Sequence, residues 1–393
     1  MKPLTCVVIG GGYAGIHAAK TLRKTFKNKA GRRPVRLVLI DRNHYHLRKV
    51  LLFRLAAREE DITVPLAKLF PEGVELVQAT VIGIDMEKQK LICEHADGRN
   101  LVINYDIAVV AAGSVVRQPD PAQGGIALTD PDAARKIRDA WRTNLKKAAS
   151  ETNGEERRRL MTIAVGGAGL SGIETAAELA HFVRGEAQQL GLDPGDAKIY
   201  LFNSQSRLFP QGPAKVGRKL EDALREKGVT VIHGTKVLRE EAGMLTLSGG
   251  ETMPAGLLIW TLGLEPNPML RKTGLPVNAE GYVIVDASYR VRGARGLYCI
   301  GDCAQITDPA TGRADGKTCK EAVAQAMRLG RIIAADLAGR PAPLHKGYID
   351  FFCFGLGPEQ GMAWMRKWGI DIVFAGKPGW RMRKLTWDIA SLL

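Results

Sequence analysis

One arrangement, an apolar strand followed by a glycine cluster and an alanine-rich helix, occurs twice in this chain and restricts its fold more than any other feature. The first copy runs from Leu4 through Gly10-Gly11-Gly12-Tyr13-Ala14-Gly15 into a helical stretch from Tyr13 to about Lys27. The second runs from Met161 to Val165 and through Gly167-Ala168-Gly169-Leu170-Ser171-Gly172. Each cluster matches G-x-G-x-x-G. The first glycine permits a tight turn, the second lets the backbone approach a pyrophosphate, and the third packs helix against strand. The helix N-terminus beyond presents unpaired N–H groups and the positive end of its dipole to phosphate oxygens. Glycine usage agrees, with 44 glycines in 393 residues and no Gly-X-Y period, against about 7% in an average protein.

A dinucleotide cradle also needs a group for the ribose at the end of the next strand. After the first helix come a basic insert, Lys27 to Arg33, and a buried strand, Val35 to Ile40, that ends in Asp41. Asp41 can accept hydrogen bonds from a ribose diol, and the insert accounts for its lying beyond the usual ~20 residues. The second copy lacks the acid, because Lys198 to Phe202 runs into Asn203. An amide bonds a ribose hydroxyl without repelling a 2′-phosphate, and Arg207 offers such a phosphate a positive charge, so NADH and NADPH stay equally open. Two cradles in one chain imply two redox cofactors face to face, a flavin and a nicotinamide. Leu297-Tyr298-Cys299-Ile300-Gly301-Asp302 is a strand ending where glycine allows close approach and a carboxylate can bond the ribityl chain of FAD. The expected fold is α/β: two Rossmann-like dinucleotide-binding domains, for FAD and NAD(P), plus a small C-terminal segment.

Composition narrows the rest. Hydrophobic residues at 45% and charged residues at 25% exclude wholesale disorder and a polytopic membrane protein. With no signal-peptide pattern and no apolar run of about 18 residues, the expected location is the cytoplasm, or the inner face of the cell membrane for a peripheral protein. The excess of 56 Lys+Arg over 41 Asp+Glu, a net charge of +15, favours nucleotides, an anionic leaflet or nucleic acid as partners. Cys6, Cys93, Cys299, Cys303, Cys319 and Cys353 form no C-x-x-C pair, which points to a reducing compartment. Cys299 and Cys303 have no histidines at metal spacing and read as packed core, so no metal site is expected. His44 and His46 belong to the loop after Asp41.

Six blocks carry a resemblance to a known family: the first glycine motif, DRNHYHLRKVLLFRLA from Asp41, YDIAVVAAGS from Tyr105, GGAGLSGIETAAELA from Gly166, LLIWTLGLEPNP from Leu257, and GYVIVDASYRVRGARGLYCIGDCA from Gly281. Over residues 4 to 338 the chain resembles the flavoproteins with two dinucleotide-binding domains, and among them the type II NADH dehydrogenases and apoptosis-inducing-factor-like oxidoreductases. The resemblance implies that Gly10, Gly12, Gly15, Asp41, Gly113 and Asp302 bind FAD. Tyr13, Ala14, Arg42, Val81 and Ala112 join the expected cofactor-binding set. Gly167, Gly169, Gly172 and Gly263, with Asn203, are expected on the nicotinamide side. Glu174 matches a family glutamate near flavin and nicotinamide that positions the nicotinamide amide or relays a proton; the other reading is a solvated acid in a first helical turn. The implied extents are residues 1–125 and 266–340 for the two parts of the FAD domain, 126–265 for the NAD(P) domain, and 341–393 for the C-terminal segment. The polar stretch Lys146 to Arg159 reads as a surface connection at a domain boundary.

Two departures bear on the electron acceptor. Many type II NADH dehydrogenases carry A-Q-x-A-x-Q, which contacts quinone, on the helix after Gly-Asp; here the stretch is Val323-Ala324-Gln325-Ala326-Met327-Arg328, without both glutamines. No C-x-x-x-x-C follows the first unit, which argues against disulfide reductase chemistry, and Cys319 alone is a weak candidate for a thiol at the flavin. At the C-terminus, Met382, Leu385, Ile389, Leu392 and Leu393 share one helical face, with Arg381, Arg383 and Lys384 elsewhere and Trp364, Trp368, Trp380 and Trp387 nearby. Such a helix lies on an anionic leaflet or docks on the FAD domain or a dimer partner. Three functions follow: a membrane-surface NAD(P)H:quinone reductase, a soluble NAD(P)H reductase of another acceptor, and a flavoprotein with a sensing or nucleic-acid-binding role. No specific nucleic-acid recognition is expected.

Overall fold

The computed structural model describes residues 3–27 and 34–393, so the basic insert, apart from Lys27, lies outside the described residues. The Leu4–Ile9 strand is flanked by parallel neighbours on both sides, Val35–Asp41 and Ile107–Val110, and its last four residues are buried. A parallel strand covered on both faces must be apolar along its length, which is why it reads as an unbroken run. The first sheet has seven strands, in the order Leu297–Cys299, Ile107–Val110, Leu4–Ile9, Val35–Asp41, Glu75–Asp85, Lys90–His95 and Asn100–Asn104; the last two pair antiparallel. Helix Tyr13–Lys27 lies against helix Cys319–Asp336, so closely that a Cβ on Gly330 would stand 2.5 Å from the Thr21 methyl.

The second glycine motif organises a second sheet of five parallel strands: Ile126–Ala127, Leu257–Trp260, Thr162–Gly166, Lys198–Asn203 and Val229–His233. The chain passes between the two sheets at Ser114–Val116 and returns at Leu264–Pro266, and these two crossings pair antiparallel. The expected surface connection from Lys146 to Arg159 is helical instead. It is the end of helix Pro131–Ser150 and the body of helix Gly154–Leu160, capped by Asp130 and Asn153 respectively. Its polarity is that of solvated faces. Within it only Ala148 is buried, with buried Leu145 and Leu160 at its two ends, too few apolar positions to dominate the pattern.

Residues beyond the Cys319–Asp336 helix form an antiparallel sheet of Phe351–Gly355, Gly361–Lys367 and Ile370–Gly376, closed by helix Lys377–Ala390. A Cβ on Gly379 would sit 2.4 Å from the Gly361 carbonyl oxygen, so this helix meets its sheet backbone to backbone.

Trp141 pins the Pro131–Ser150 helix to the segment after the first cradle: it is 2% exposed and its indole N–H donates to the Ala56 carbonyl at 3.0 Å. Trp141→Ala therefore removes about 3–5 kcal/mol of stability, read as a lower thermal midpoint. An unchanged midpoint would mean that this contact carries no packing energy.

Candidate functional site

A cavity of about 380 Å³ opens where the central strands of the first sheet end, the position at which open α/β sheets bind ligands. Of the residues expected to hold FAD, Gly10, Gly12, Tyr13, Ala14, Asp41, Arg42, Val81, Ala112, Gly113 and Asp302 all line it. Gly15 does not. A Cβ there would lie 1.7 Å from the Gly10 carbonyl oxygen, so Gly15 lets the helix seat on the turn and acts beneath the cavity. Gly10 itself has φ +107° and backs onto the Ala111 carbonyl, whereas no atom lies within 4 Å of a Cβ built on Gly12. That open position is where a diphosphate can meet bare backbone.

Asp41 is oriented by its neighbours. One carboxylate oxygen accepts the Gly11 N–H at 2.6 Å and the other the Asn43 N–H at 2.7 Å. Across the cavity, the Asp302 carboxylate accepts from the Ser114 hydroxyl at 2.8 Å. Burial pushes the Asp302 carboxyl above its ordinary range, and the Ser114 hydrogen bond, Lys317 and Lys49 oppose the shift. Sequence reasoning missed Ser114 and Lys49, whose ammonium donates to the Ser114 carbonyl at 3.0 Å. It also assigned His46 to a loop. The buried His46 ring instead sets Nδ1 2.9 Å from the Gly11 carbonyl. Burial lowers its pKa to about 4, so the ring is neutral and Nδ1 donates its proton to that oxygen. No spacing rule distinguishes such a histidine from a loop residue.

Helix Cys319–Asp336 begins at this cavity, with Cys319 and Ala322 in its wall. Thr318 and Glu321 form a reciprocal capping box, which fixes the helix start and the positive end of its dipole beside the cavity. Gln325 is not in the wall; its side chain accepts the Gly301 N–H at 2.7 Å and donates to Asp315 at 2.7 Å. Cys299 and Cys303 are both buried with sulfurs 3.4 Å apart, and among the described residues no cluster could hold a metal.

The second cradle opens on a cavity of about 230 Å³ lined by Gly169, Asn203, Gln205, Phe209, Phe352 and Phe354, among others. Gly167 (φ +114°) and Gly172 lie beneath it. A Cβ on Gly172 would be 1.8 Å from the Gly167 carbonyl oxygen, so the geometry of the first turn is repeated. Gly263 (φ +86°) lies in neither cavity wall; its carbonyl accepts the Arg117 N–H at 3.0 Å, next to the crossing strands. Asn203 faces the cavity and bonds the His233 ring at 2.9 Å. Arg207 is not free for a 2′-phosphate in the manner expected, because its guanidinium donates to the Phe209, Pro210 and Gly212 carbonyls.

Glu174 lines neither cavity wall, nor is it a solvated acid: it is 2% exposed. It accepts two hydrogen bonds from Arg383, both 2.8 Å, and one from the Gly355 N–H at 2.7 Å. Burial raises the Glu174 carboxyl while Arg383 pulls it back. One turn along, burial lifts Glu178 to about 7, with Arg58 opposing. Arg383, expected away from the apolar face of the last helix, is 5% exposed. The helix C-terminus is held by His17, whose Nε2 lies 3.1 Å from both the Ile389 and Ala390 carbonyls, and Arg48 pairs with Asp388 at 2.8 Å. The helix is therefore docked on the elements around the first cradle of its own chain. Trp364 and Trp387 are buried, and Trp368 is 86% exposed.

Comparisons with known proteins agree with this geometry. Residues 4–326 match the family model described as pyridine nucleotide-disulphide oxidoreductase. The demethylphylloquinone reductase NdbB of Synechocystis sp. is 28% identical over 348 residues, 86% of this chain and 81% of that protein. A type II NADH:quinone oxidoreductase of Staphylococcus aureus is 24% identical over 395 residues, 96% of this chain and 93% of that protein. The fold matches the structure of NDH2 from Plasmodium falciparum in complex with NADH at a TM-score of 0.84 and 15% identity, over 100% of this chain and 97% of that one. The chain belongs to the pyridine nucleotide-disulphide oxidoreductase family, and its paired cradles are those of an FAD-dependent NAD(P)H oxidoreductase.

Proposed function

We propose that this chain is an NADH:quinone oxidoreductase that works at a membrane surface, with FAD as its resident cofactor. The observation that carries the reading is the pair of glycine-turn cradles in one chain, backed by relatives whose names specify quinone or phylloquinone reduction. FAD would supply two-electron redox chemistry that amino-acid side chains lack. The residues present fit it. Gly12 leaves bare backbone for the diphosphate, the oriented Asp41 carboxylate suits a ribose diol, and Asp302 suits the ribityl hydroxyls. The Cys319–Asp336 helix presents its positive end where negative charge would gather on reduction. Gly169 and Asn203 would hold NADH. Gly263 would act from the crossing strands, by shaping the passage between the cradles.

The role proposed for Glu174, setting the nicotinamide amide or relaying a proton, operates from inside its ion pair with Arg383. It is a positioning role first, because the pair joins the C-terminal segment to the helix of the second cradle.

For the membrane, the last helix leaves Leu385 58% and Ile389 52% exposed and Leu393, beyond its end at Ala390, is 55% exposed, while the neighbouring strand exposes Ile370, Ile372 and Phe374. Trp368, in the turn that joins the last two strands, is 86% exposed. Exposed apolar side chains on a helix that also carries Arg381 and Lys384 suit an anionic leaflet. Among the described residues no helix is long and apolar enough to cross a membrane. A second copy of the chain is the other occupant this face could take.

Three outcomes are expected. In anaerobic stopped-flow experiments NADH reduces the bound flavin, and menadione or ubiquinone analogues reoxidise it faster than oxygen does; failure of every quinone to outpace oxygen would end the quinone reading. Asp302→Lys protein purifies without FAD, seen as loss of visible absorbance, and a fully yellow variant would displace the flavin from this cavity. Wild-type protein floats with vesicles of phosphatidylcholine and phosphatidylglycerol, and the double variant Leu385→Asp/Ile389→Asp stays in the dense fraction with its flavin content unchanged. Flotation of both would assign the patch to another role, and dimer dissociation in the double variant would identify that role as self-association.

A further inference from the structure

The first turn of helix Cys319–Asp336 bears a lysine that the structure leaves uncommitted. Lys320 has no hydrogen bond or ion pair to a described residue, yet it is half-buried. Its ammonium lies 4.7 Å from the Phe352 ring centre, 4.9 Å from Phe351 and 5.8 Å from Tyr348. It faces a third cavity, of about 280 Å³, between this first turn and residues 346–352. This cavity borders both of the others: Cys319, the preceding residue, lines the flavin cavity, and Phe352 lines the nucleotide cavity as well.

Apart from Lys346, the remaining charged groups lining the cavity around Lys320 are spoken for. Arg313 pairs with Asp350 at 2.7 Å, and Asp308 accepts the Gly347 and Ala310 N–H groups. Asp315 is held by Gln325 and His345, and Glu321 is consumed by the capping box. Lys346 is exposed at the rim, and Cys319, Cys353 and Arg383 lie behind the lysine. On the same helix face, one and two turns on, Ala324 offers no donor. The Arg328 guanidinium is turned away, donating to the Tyr289 hydroxyl at 2.8 Å beside His345. An acceptor inside this cavity would therefore meet aromatic faces and the half-buried Lys320 ammonium, with the Lys346 side chain exposed at the rim.

We propose that Lys320 is the proton donor to the electron acceptor, with a quinone ring lying against the aromatic cage and one carbonyl oxygen accepting a hydrogen bond from Nζ. The proposal rests on the quinone reading above. The balance is NADH + H⁺ + quinone → NAD⁺ + quinol. The hydride equivalent of NADH provides two electrons and one proton; the second proton comes from the ammonium as its N–H bond breaks and a quinol O–H bond forms. The neutral amine then regains a proton from water at the cavity mouth. Burial lowers the Lys320 pKa from the ordinary lysine range, with Cys353, Cys319 and Glu321 opposing and Arg383 adding to the shift. The donor form is therefore lost at a lower pH than for an exposed lysine, and the reoxidation rate falls with it as pH rises.

The experiment uses the full-length holoenzyme with menadione as probe. Reoxidation of NADH-reduced wild-type protein declines on the alkaline side, Lys320→Met is slower by about 100-fold at neutral pH with a flat profile, and Lys320→Arg moves the decline to higher pH. A readout independent of turnover is the ¹³Cε resonance of Lys320 in oxidised protein, assigned with the Arg variant, which shifts when menadione is added. Equal reoxidation rates and pH profiles for wild type and Lys320→Met overturn the proposal, as does a Lys320 resonance that menadione leaves in place. Should Lys320→Met fail to fold, the Arg variant and the resonance decide. Wild-type protein that menadione does not reoxidise faster than oxygen counts against the quinone reading itself, whatever Lys320 does.

Discussion

The molecule depends on two places where backbone touches backbone with no room for a side chain. At Gly15 and Gly172 a single added carbon would intrude to within 1.7 and 1.8 Å of the carbonyl oxygen that opens the same turn. These contacts bring each helix down onto its strand, so that its first N–H groups project beyond the sheet edge instead of being covered by side chains. The two open cavities are the result, since the turn can face solvent only because the helix is seated that deeply. The free space around Gly12 and Gly169 and the crowding at Gly15 and Gly172 are one design, in which the outer glycine serves the ligand and the inner one serves the packing.

A second constraint ties the C-terminal segment to the rest. A buried carboxylate and a buried guanidinium are each costly to desolvate, and they persist because each satisfies the other in parallel hydrogen bonds with a backbone N–H filling the remaining site. Glu174 and Arg383 meet these terms across 209 residues of sequence. Arg54 and Arg58 extend the charge toward Glu60 and Glu178. Glu178 has weaker company at 3.8–4.0 Å, and burial moves it to about 7. The contrast between two acids one turn apart shows how far hydrogen-bond geometry, and not proximity of charge alone, sets the state of a buried group.

Much of this was legible in the sequence where the backbone itself imposes a rule. The glycine turns and the Asp41 strand end follow from local stereochemistry, and the structure has them; the strand before Asp302 stops at Cys299 and a turn carries the carboxylate. Side-chain partners made by distant residues were not legible. Arg383 carries the same helical pattern as its solvated neighbours Arg381 and Lys384, and nothing in that pattern announces Glu174. His46, Ser114 and Lys49 act through contacts with atoms far along the chain, for which sequence spacing has no signal. The Lys146 to Arg159 stretch misled because charge density masks a helix whose buried stripe is only a few residues wide.

The chain leaves the first sheet at Ser114–Val116 and returns at Leu264–Pro266, so the flavin cradle is assembled from both ends of the polypeptide. Its edge strand Leu297–Cys299, Asp302 and the Cys319–Asp336 helix follow the whole second sheet in the sequence. On a ribosome, where folding proceeds from the N-terminus, the nucleotide half can close first. The half-built flavin sheet must wait with the edge of Ile107–Val110 unpaired, which makes cofactor capture one of the last events in the maturation of this protein.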